Sequence, residues 1–356
     1  MYARARELYA QIHDPVLAFP TLYGQWLMRY WKLELHDALE LADELLAAAE
    51  DVKDPAMLMS GNRARGVILI FLGALVSANE HQEKALAVFD LRQPLPAQLE
   101  LRRVDSFSYL YFGLHGLGYP DRAWVKSREM MEVAQRSSDP NVLALASCHS
   151  ASHHLNQGDS MEAQMRAEQG MALTEEFGVP SFLAVATFYL GAALVAQRRY
   201  EEGITGMRRG ISAFRATGGT LRAWEFYLLA SGLGKAGRPE EGLQVLEEGF
   251  VSVSKTGEQF GRTFLHRAKG QLLLAQNPLD VAEAESCFRA AIEVARRQSA
   301  RSPELRATTS LARLLAKQGR RDEARTTLAE IYGWFTEGFD TPDLKDAKVL
   351  LDELST

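Results

Sequence analysis

A short pattern recurs eight times along this chain and constrains its fold more than any other feature. In each copy a turn region is followed by a charged residue and then by Ala or Gly, which opens an amphipathic run. The eight small residues, called marker residues below, are Ala38, Ala85, Ala123, Ala163, Gly203, Gly242, Ala284 and Ala324. Their spacings are 47, 38, 40, 40, 39, 42 and 40 residues. A near-constant period of this length is typical of solenoids, in which each unit packs only against its neighbours.

Apolar residues between the markers follow the 3.6-residue period of an α-helix. Leu243, Leu246 and Phe250 share one helical face after Gly242, and the residues before each marker show the same period. Glycines that stop a helix recur just before the markers, at Gly118, Gly158, Gly237 and Gly319. The sequence therefore predicts an all-α protein of about eight helix–turn–helix units, and no alternating run is long enough to predict a sheet.

Small residues also recur inside the predicted helices. Twelve residues before the marker stand Gly73, Ala151, Gly191, Ala230 and Ala312, and seven residues after it stand Gly170, Gly210, Gly249 and Ala291. Glycine inside a helix costs about 1 kcal/mol relative to alanine. We therefore expect the backbones of paired helices to approach each other closely at these positions.

These features resemble the tetratricopeptide repeat (TPR), over roughly residues 20–336. The resemblance implies a right-handed TPR-like superhelix, an α-solenoid with a concave groove. The last third, with LHRAKGQLLL at 265–274, AEAESCFRAA at 282–291 and YGWFTEGFD at 332–340, is more specific. It resembles the C-terminal repeats of bacterial multidomain proteins that join a class III adenylate or guanylate cyclase domain to an AAA-type ATPase. By this resemblance residues 1–19 are the second helix of a truncated unit, 20–340 the repeat array and 341–356 a capping helix. The chain is therefore expected to be a fragment or a naturally shortened version of something longer.

Composition and charge exclude several classes of function. The formal net charge of −6 provides no basic surface for nucleic acid. The longest apolar run, residues 67–76, has ten residues, whereas a membrane helix needs about 20. Two distant cysteines indicate no disulfide framework, and no signal-peptide-like stretch is present. We therefore predict a cytoplasmic location, without nucleic-acid or membrane partners.

For the motifs with catalytic or ligand-binding potential, the sequence supports a structural role better than a functional one. GLGKAG at 232–237 matches the dinucleotide fingerprint, but the helical period places it at a helix end and not between a strand and a helix. Cys148, His149, His153 and His154 have metal-ligand side chains but lack a distal pair to complete a site. Neither a phosphate-binding loop nor a nucleophile motif occurs. The sequence thus predicts no enzyme, no cofactor and no metal.

In the TPR family the residues 18, 15, 11, 8 and 7 positions before the marker face the groove. Carried over to this sequence, that pattern gives a set that is aromatic in its first part and basic at its end. The set is Tyr23, Tyr30, Trp31, Phe112, His115, Asn156, Phe188, Trp224, Tyr227, Lys235, Arg306, Arg313 and Lys317. Core packing is the competing interpretation for the aromatic members. The set lacks the Lys/Asn clamp of chaperone-tail binders, so the family pattern itself implies no free-carboxylate ligand.

An aromatic groove with a basic end favours a protein or peptide partner. The leading hypothesis is a non-enzymatic interaction or regulatory scaffold, the sensory arm of a larger ATPase–cyclase signalling protein to which it is covalently linked. The alternative is a stand-alone ligand- or peptide-sensing regulator that acts through a transcriptional partner.

Overall fold

The computed structural model describes residues 14–177, without the Phe177 side chain, and residues 179–355. Within these ranges the chain forms seventeen α-helices and no strand. The helices are α1 (Pro15–Trp31), α2 (Leu35–Val52), α3 (Pro55–Phe71), α4 (Leu75–Ala87), α5 (Ala97–Leu117), α6 (Pro120–Arg136), α7 (Pro140–Asn156), α8 (Ser160–Phe177), α9 (Pro180–Ala196), α10 (Tyr200–Ala216), α11 (Ala223–Lys235), α12 (Pro239–Thr256), α13 (Arg262–Gln276), α14 (Val281–Arg297), α15 (Arg301–Lys317), α16 (Arg321–Tyr332) and α17 (Pro342–Ser355). None of these helices combines the length and the apolar character that a membrane span requires.

Consecutive helices pack as pairs, from α1 with α2 through α15 with α16, and α17 follows the eighth pair. The first helix of each pair also contacts the first helix of the next pair, which is the packing of a superhelix. The predicted TPR-like α-solenoid of about eight units is confirmed.

Local sequence explains where the helices begin and end. Three first helices, α1, α3 and α7, open with Asp-Pro, and the aspartate side chain accepts a hydrogen bond from the backbone. Proline is favoured at this position because its missing N–H is not needed there. Gly118, Gly158, Gly237 and Gly319 all have φ between +77° and +96°, a conformation that glycine adopts without strain. The predicted helix stops are confirmed at these four positions.

One marker residue was predicted at the wrong place. The other seven markers are the fourth residue of a second helix, whereas α4 begins at Leu75, so its fourth residue is Ala78 and not Ala85. The correct spacings are 78 − 38 = 40 and 123 − 78 = 45 residues, and the extra residues form the connection 88–96 between α4 and α5. The true opening of α4 has no charged residue before Ala78, so the pattern matched two turns later. Gly73 is consequently a turn residue, with φ of +78°.

Glycines do allow helix backbones to approach closely, as predicted. A Cβ at Gly191 in α9 would lie 2.5 Å from the carbonyl oxygen of Gly203 and 2.5 Å from the amide nitrogen of Met207, both in α10. A Cβ at Gly210 would lie 2.7 Å from the amide nitrogen of Phe188. No side chain fits at such distances, so α9 and α10 touch through their backbones.

Successive turns of the superhelix rest on each other. The carbonyl oxygen of Trp31 accepts a hydrogen bond from the N–H of Thr220 at 3.0 Å, and that of Phe71 accepts one from Gln259 at 2.8 Å. The sequence separations, 220 − 31 = 189 and 259 − 71 = 188 residues, correspond to about five units of the repeat. We call this set of contacts the inter-turn seam. The seam brings residues of the two turns together across the concave side, and we call the space that they enclose there the axial channel.

The predicted division of the chain stays a prediction. Residues 1–13 lie outside the described residues, and the proposed boundary at residue 20 falls inside α1, which begins at Pro15. Helix α17 lies within residues 341–356 and packs Leu344, Ala347 and Leu350 into the apolar cluster of the last pair. Such packing is what a capping helix needs.

Candidate binding channel

The axial channel contains two adjoining chambers whose walls come almost entirely from first helices. The N-terminal chamber has a volume of about 490 Å³. It is lined by Pro20, Tyr23, Gly24, Leu27, Tyr30, Trp31, Arg63, Gln98, Leu101, Arg102, Asp105, Tyr109, Leu145, Cys148, His149, Phe182, Val185, Tyr189, Phe214 and Arg222. Only Phe214, in a second helix, and Arg222, just before α11, lie outside first helices.

The C-terminal chamber is smaller, at about 100 Å³. It is lined by Ile70, Phe71, Tyr109, Phe112, His115, Gly116, His149, Asn156, Tyr189, Arg222, Trp224, Glu225, Glu258, Phe260, Gly261, Phe264, Pro303 and Arg306. Tyr109, His149, Tyr189 and Arg222 line both chambers, and we call these four the waist. Because the chambers share the waist, they are consecutive compartments of one channel.

A buried ion network crosses the N-terminal chamber. Arg63, only 3% exposed at its side chain, forms an ion pair with Asp105 and donates a hydrogen bond to the Tyr23 hydroxyl at 2.6 Å. His149 Nε2 lies 2.9 Å from the other oxygen of Asp105. Burial alone would raise the pKa of Asp105, but the Arg63 guanidinium and His149 together lower it to about 2. Asp105 is therefore an ionised carboxylate at neutral pH, and it compensates the charge of Arg63.

A second network surrounds the waist. The hydroxyls of Tyr30 and Tyr109 are hydrogen-bonded, and Arg222 donates to the Tyr30 hydroxyl at 2.9 Å. Glu225 lies 3.8 Å from the Arg222 guanidinium and also accepts the backbone N–H of Arg222 at 2.8 Å. Since α1 and α5, which carry Tyr30 and Tyr109, belong to the first superhelical turn and α11 to the second, these bonds add side-chain contacts to the inter-turn seam.

Arg102 differs from the other two arginines of the N-terminal chamber. Its guanidinium carbon lies 4.0 Å from the centre of the Tyr23 ring, and it donates to the Ser60 hydroxyl. No carboxylate of the described residues forms an ion pair with it. Burial, together with the nearby Arg63 charge, lowers the pKa of Arg102, although an arginine stays protonated at neutral pH.

The C-terminal chamber carries its own titratable groups. Glu258 accepts the backbone N–H of Ala223 at 3.0 Å, and burial raises its pKa to about 7. Burial, aided by the positive charge of Arg306, lowers the pKa of His115 to about 4, so this ring is neutral at pH 7. Arg306 itself forms an ion pair with Asp343 of α17 at 2.6 Å. Trp224 Nε1 is buried and has no hydrogen-bond partner among the described residues.

The structure brings eight of the thirteen predicted groove residues to the channel. They are Tyr23, Tyr30, Trp31, Phe112, His115, Asn156, Trp224 and Arg306. Tyr23 and Tyr30 are also core residues, at 9% and 5% exposed, so the two competing interpretations of the aromatic set are both partly right. That these residues contact a ligand stays a prediction.

The other five predicted residues do not line either chamber. Phe188 is 3% exposed and belongs to the apolar core cluster around α9 and α10, and its backbone nitrogen lies beside Gly210. Tyr227 packs against Trp224 and Phe264, behind the channel wall. The remaining three are exposed near the ends of first helices, and one of them pairs with Asp346 of α17. These three are Lys235, Arg313 and Lys317.

Sequence reasoning missed several lining residues for identifiable reasons. With the corrected marker Ala78, the position 15 residues earlier is Arg63 (78 − 15 = 63), so the misplaced marker hid this residue. Three of the four waist residues stand 14 positions before their markers, at Tyr109, His149 and Tyr189. The family pattern does not include that position, but it recurs in three consecutive units and carries a ring in each.

Two residues of the histidine cluster, His149 and His153, form hydrogen bonds with protein side chains. His149 contacts Asp105, as described, while His153 lies between the hydroxyls of Ser108 and Ser127, at 3.1 and 2.8 Å. Among the described residues no group of three or more His, Cys, Asp or Glu is placed to hold a metal ion. The GLGKAG segment lies at the end of α11 and in the following turn, where the helical period placed it.

No family model matches this chain, and no curated protein matches it in sequence. Solved structures match it in fold. A Rap protein complexed with competence and sporulation factor has a TM-score of 0.58 at 11% identity, and the match covers 95% of this chain and 97% of that chain. The fold is a TPR-like α-solenoid.

Two further solved structures extend this comparison. The Rap conjugation gene regulator of the plasmid pLS20, in complex with the Phr* peptide, matches with a TM-score of 0.57 at 12% identity, covering 95% and 96% of the two chains. A signal transduction ATPase with numerous domains (STAND) and a TPR sensor, from Pyrococcus horikoshii, has a TM-score of 0.50 at 15% identity. That match covers 99% of this chain and 51% of the other. At such identities the likeness concerns the fold alone.

Proposed function

We propose that this chain is a non-enzymatic regulatory module that binds an extended peptide, or an extended segment of a partner protein, in its axial channel. The observation that carries the proposal is the pair of adjoining chambers with the waist between them. Ligand sites are typically concave, mainly apolar and furnished with a few well-placed polar groups. An elongated channel with two compartments suits a ligand that is itself elongated.

The composition of the wall supports a peptide as the ligand. Aromatic side chains and arginine are enriched in the centres of protein interfaces, because they combine a large contact area with hydrogen-bond donors. Trp31, Phe112 and Trp224 are partly exposed to the channel. Arg102 lies over the ring of Tyr23, and Arg222 lies near the ring of Tyr30. Two of the fold neighbours named above were solved with a bound peptide or factor.

The module could pass on its signal by two routes. The similarity to a STAND protein with a TPR sensor supports a sensory arm linked to an ATPase, and the cyclase part of that hypothesis rests on the sequence resemblance alone. The match to nearly the whole Rap chain supports the alternative, a stand-alone ligand- or peptide-sensing regulator. The transcriptional partner in that hypothesis rests on the sequence analysis alone. Capture of a separately expressed cyclase–ATPase segment by this chain would favour the first route, and no capture would favour the second.

Affinity selection with a pair of tryptophan variants tests the proposed site. The full chain would be incubated with a library of N-acetylated hexapeptides, and retained peptides identified by mass spectrometry and measured by calorimetry. Trp224→Ala should weaken binding about tenfold or more, since a buried interface tryptophan commonly contributes at least 2 kcal/mol. Trp124→Ala is the control, because Trp124 is also half-buried but lies on the second helix α6, against His154. Equal affinities of the two variants, or no retained peptide at all, would refute the proposal.

A further inference from the structure

The charges of the N-terminal chamber do not cancel. Arg63 is paired with Asp105, and Arg222 with Glu225 at 3.8 Å. Arg102 has a ring and a hydroxyl as neighbours but no carboxylate within 4 Å among the described residues. As far as the described residues go, one half-buried positive charge is therefore left over in the chamber.

A partly buried cation without a counter-ion destabilises a folded protein, because it loses hydration without gaining an ion pair. Such a group in a cleft is a candidate for a binding site, because a ligand of opposite charge would supply the missing partner. The surroundings of Arg102 also hold its side chain in place: the guanidinium stacks on Tyr23, and Tyr23 is in turn hydrogen-bonded to Arg63. A ligand would thus meet a cation that is already oriented, at little cost in side-chain entropy.

The space around Arg102 indicates what accompanies the negative group. The chamber of about 490 Å³ is walled by Tyr30, Trp31, Phe182 and other apolar side chains. This volume holds a short stretch of extended peptide with an apolar or aromatic side chain beside its charge.

We propose that the N-terminal chamber recognises a carboxylate of the bound peptide, with Arg102 as its partner and the aromatic wall holding the adjacent side chain. The inference rests on the proposed peptide-binding function and adds the chemical class of the peptide, which is acidic. The carboxylate comes either from an Asp or Glu side chain or from the free C-terminus, and planar bidentate pairing with guanidinium suits both.

Matched peptide pools test this inference on the full-length chain. One comparison sets N-acetylated hexapeptides with Glu at a fixed position against the same pool with Gln. The other sets free C-terminal carboxylates against carboxamides. A hydrogen-bonded charge pair that is partly buried predicts enrichment of about tenfold or more for a carboxylate pool. Enrichment in the first comparison identifies a side-chain carboxylate, and enrichment in the second identifies the C-terminus.

Three variants link the enrichment to Arg102. Arg102→Gln should bring the ratio of charged to neutral peptides close to one, and Arg102→Lys should restore part of it. Arg209→Gln is the control, because Arg209 is exposed on the outer helix α10 and forms no ion pair with any described residue, and it should leave the ratio unchanged. Without ligand, Arg102→Gln should unfold no earlier than the wild-type chain, whereas a purely structural arginine would lower the unfolding midpoint.

The outcomes separate this inference from the proposed function. Equal retention of charged and neutral peptides by the wild-type chain would overturn the carboxylate site and leave peptide binding intact. Selective retention that survives Arg102→Gln would overturn the assignment to Arg102. Retention of no peptide from any pool would overturn both proposals.

Discussion

The carboxylate of Glu337 holds the second superhelical turn against the first, and its removal should weaken the whole fold by a measurable amount. One of its oxygens accepts the backbone N–H groups of Asp121 and Arg122, both at 3.0 Å, and the other lies 3.1 Å from the Arg122 guanidinium. Helix α6 has no side-chain cap of its own, since its N-cap residue is Tyr119. Glu337, from the connection between α16 and α17, therefore acts as the cap for α6 from about 215 residues away.

The expected magnitude follows from these contacts. Loss of an N-terminal cap costs about 0.5–2 kcal/mol, and loss of a carboxylate near a helix N-terminus adds about 0.3–1 kcal/mol. The ion pair adds little because the Arg122 side chain is 64% exposed. Glu337→Ala should therefore lower the free energy of unfolding by about 2 kcal/mol. Glu337→Gln keeps an acceptor and should cost about half as much.

Urea denaturation followed by circular dichroism measures this difference. Glu132→Ala is the control, because Glu132 is exposed on the same helix α6 and its side chain forms no ion pair within the part of the chain that the structure describes. The control should lie within about 0.5 kcal/mol of the wild type. A Glu337→Ala variant as stable as the control would show that the two superhelical turns do not rest on each other at this point.

Three further predictions concern packing and titration. Gly191→Ala should lower the urea midpoint, because the new Cβ would lie 2.5 Å from the backbone of α10. Helix propensity alone predicts the opposite, a gain of about 1 kcal/mol in unfolding free energy. A higher midpoint would therefore contradict the close approach of the α9 and α10 backbones. Phe188→Ala should cost about 3–5 kcal/mol in unfolding free energy and leave peptide affinity unchanged, whereas weakened binding by a folded variant would return Phe188 to the site. The pKa of His115, lowered to about 4 by burial, lies below its unfolded value near 6.5. The stability that neutral His115 contributes is therefore present above pH 6.5 and is lost as the pH falls toward 4, by up to about 3 kcal/mol. His115→Leu should flatten that part of the pH profile of urea midpoints.

The sequence predicted the repeat architecture well because its signals are local. Marker residues, turn glycines and Asp-Pro openings act within one unit, and each of them needs only a few neighbouring residues to have its effect. The misplaced marker at Ala85 shows the limit of such signals, since a chance match two helical turns downstream had the same residue pattern as a true opening.

Closure of the channel could not be predicted in the same way. The inter-turn seam joins residues about 190 positions apart, such as Trp31 and Thr220, and depends on small rotations that accumulate over about five units. A period measured along the chain does not contain those rotations. The buried pair of Arg63 and Asp105 escaped for a related reason, because its two partners come from different units.

Photo-crosslinking from a bound peptide tests most directly whether the channel is the binding site. A hexapeptide selected by the chain would carry a photoreactive phenylalanine analogue at each position in turn, and crosslinked residues would be identified by mass spectrometry. If the peptide binds in the channel, we expect crosslinks to first helices, at residues such as Trp31, Phe112 and Trp224. Crosslinks confined to the outer second helices, such as α6 or α10, would contradict it.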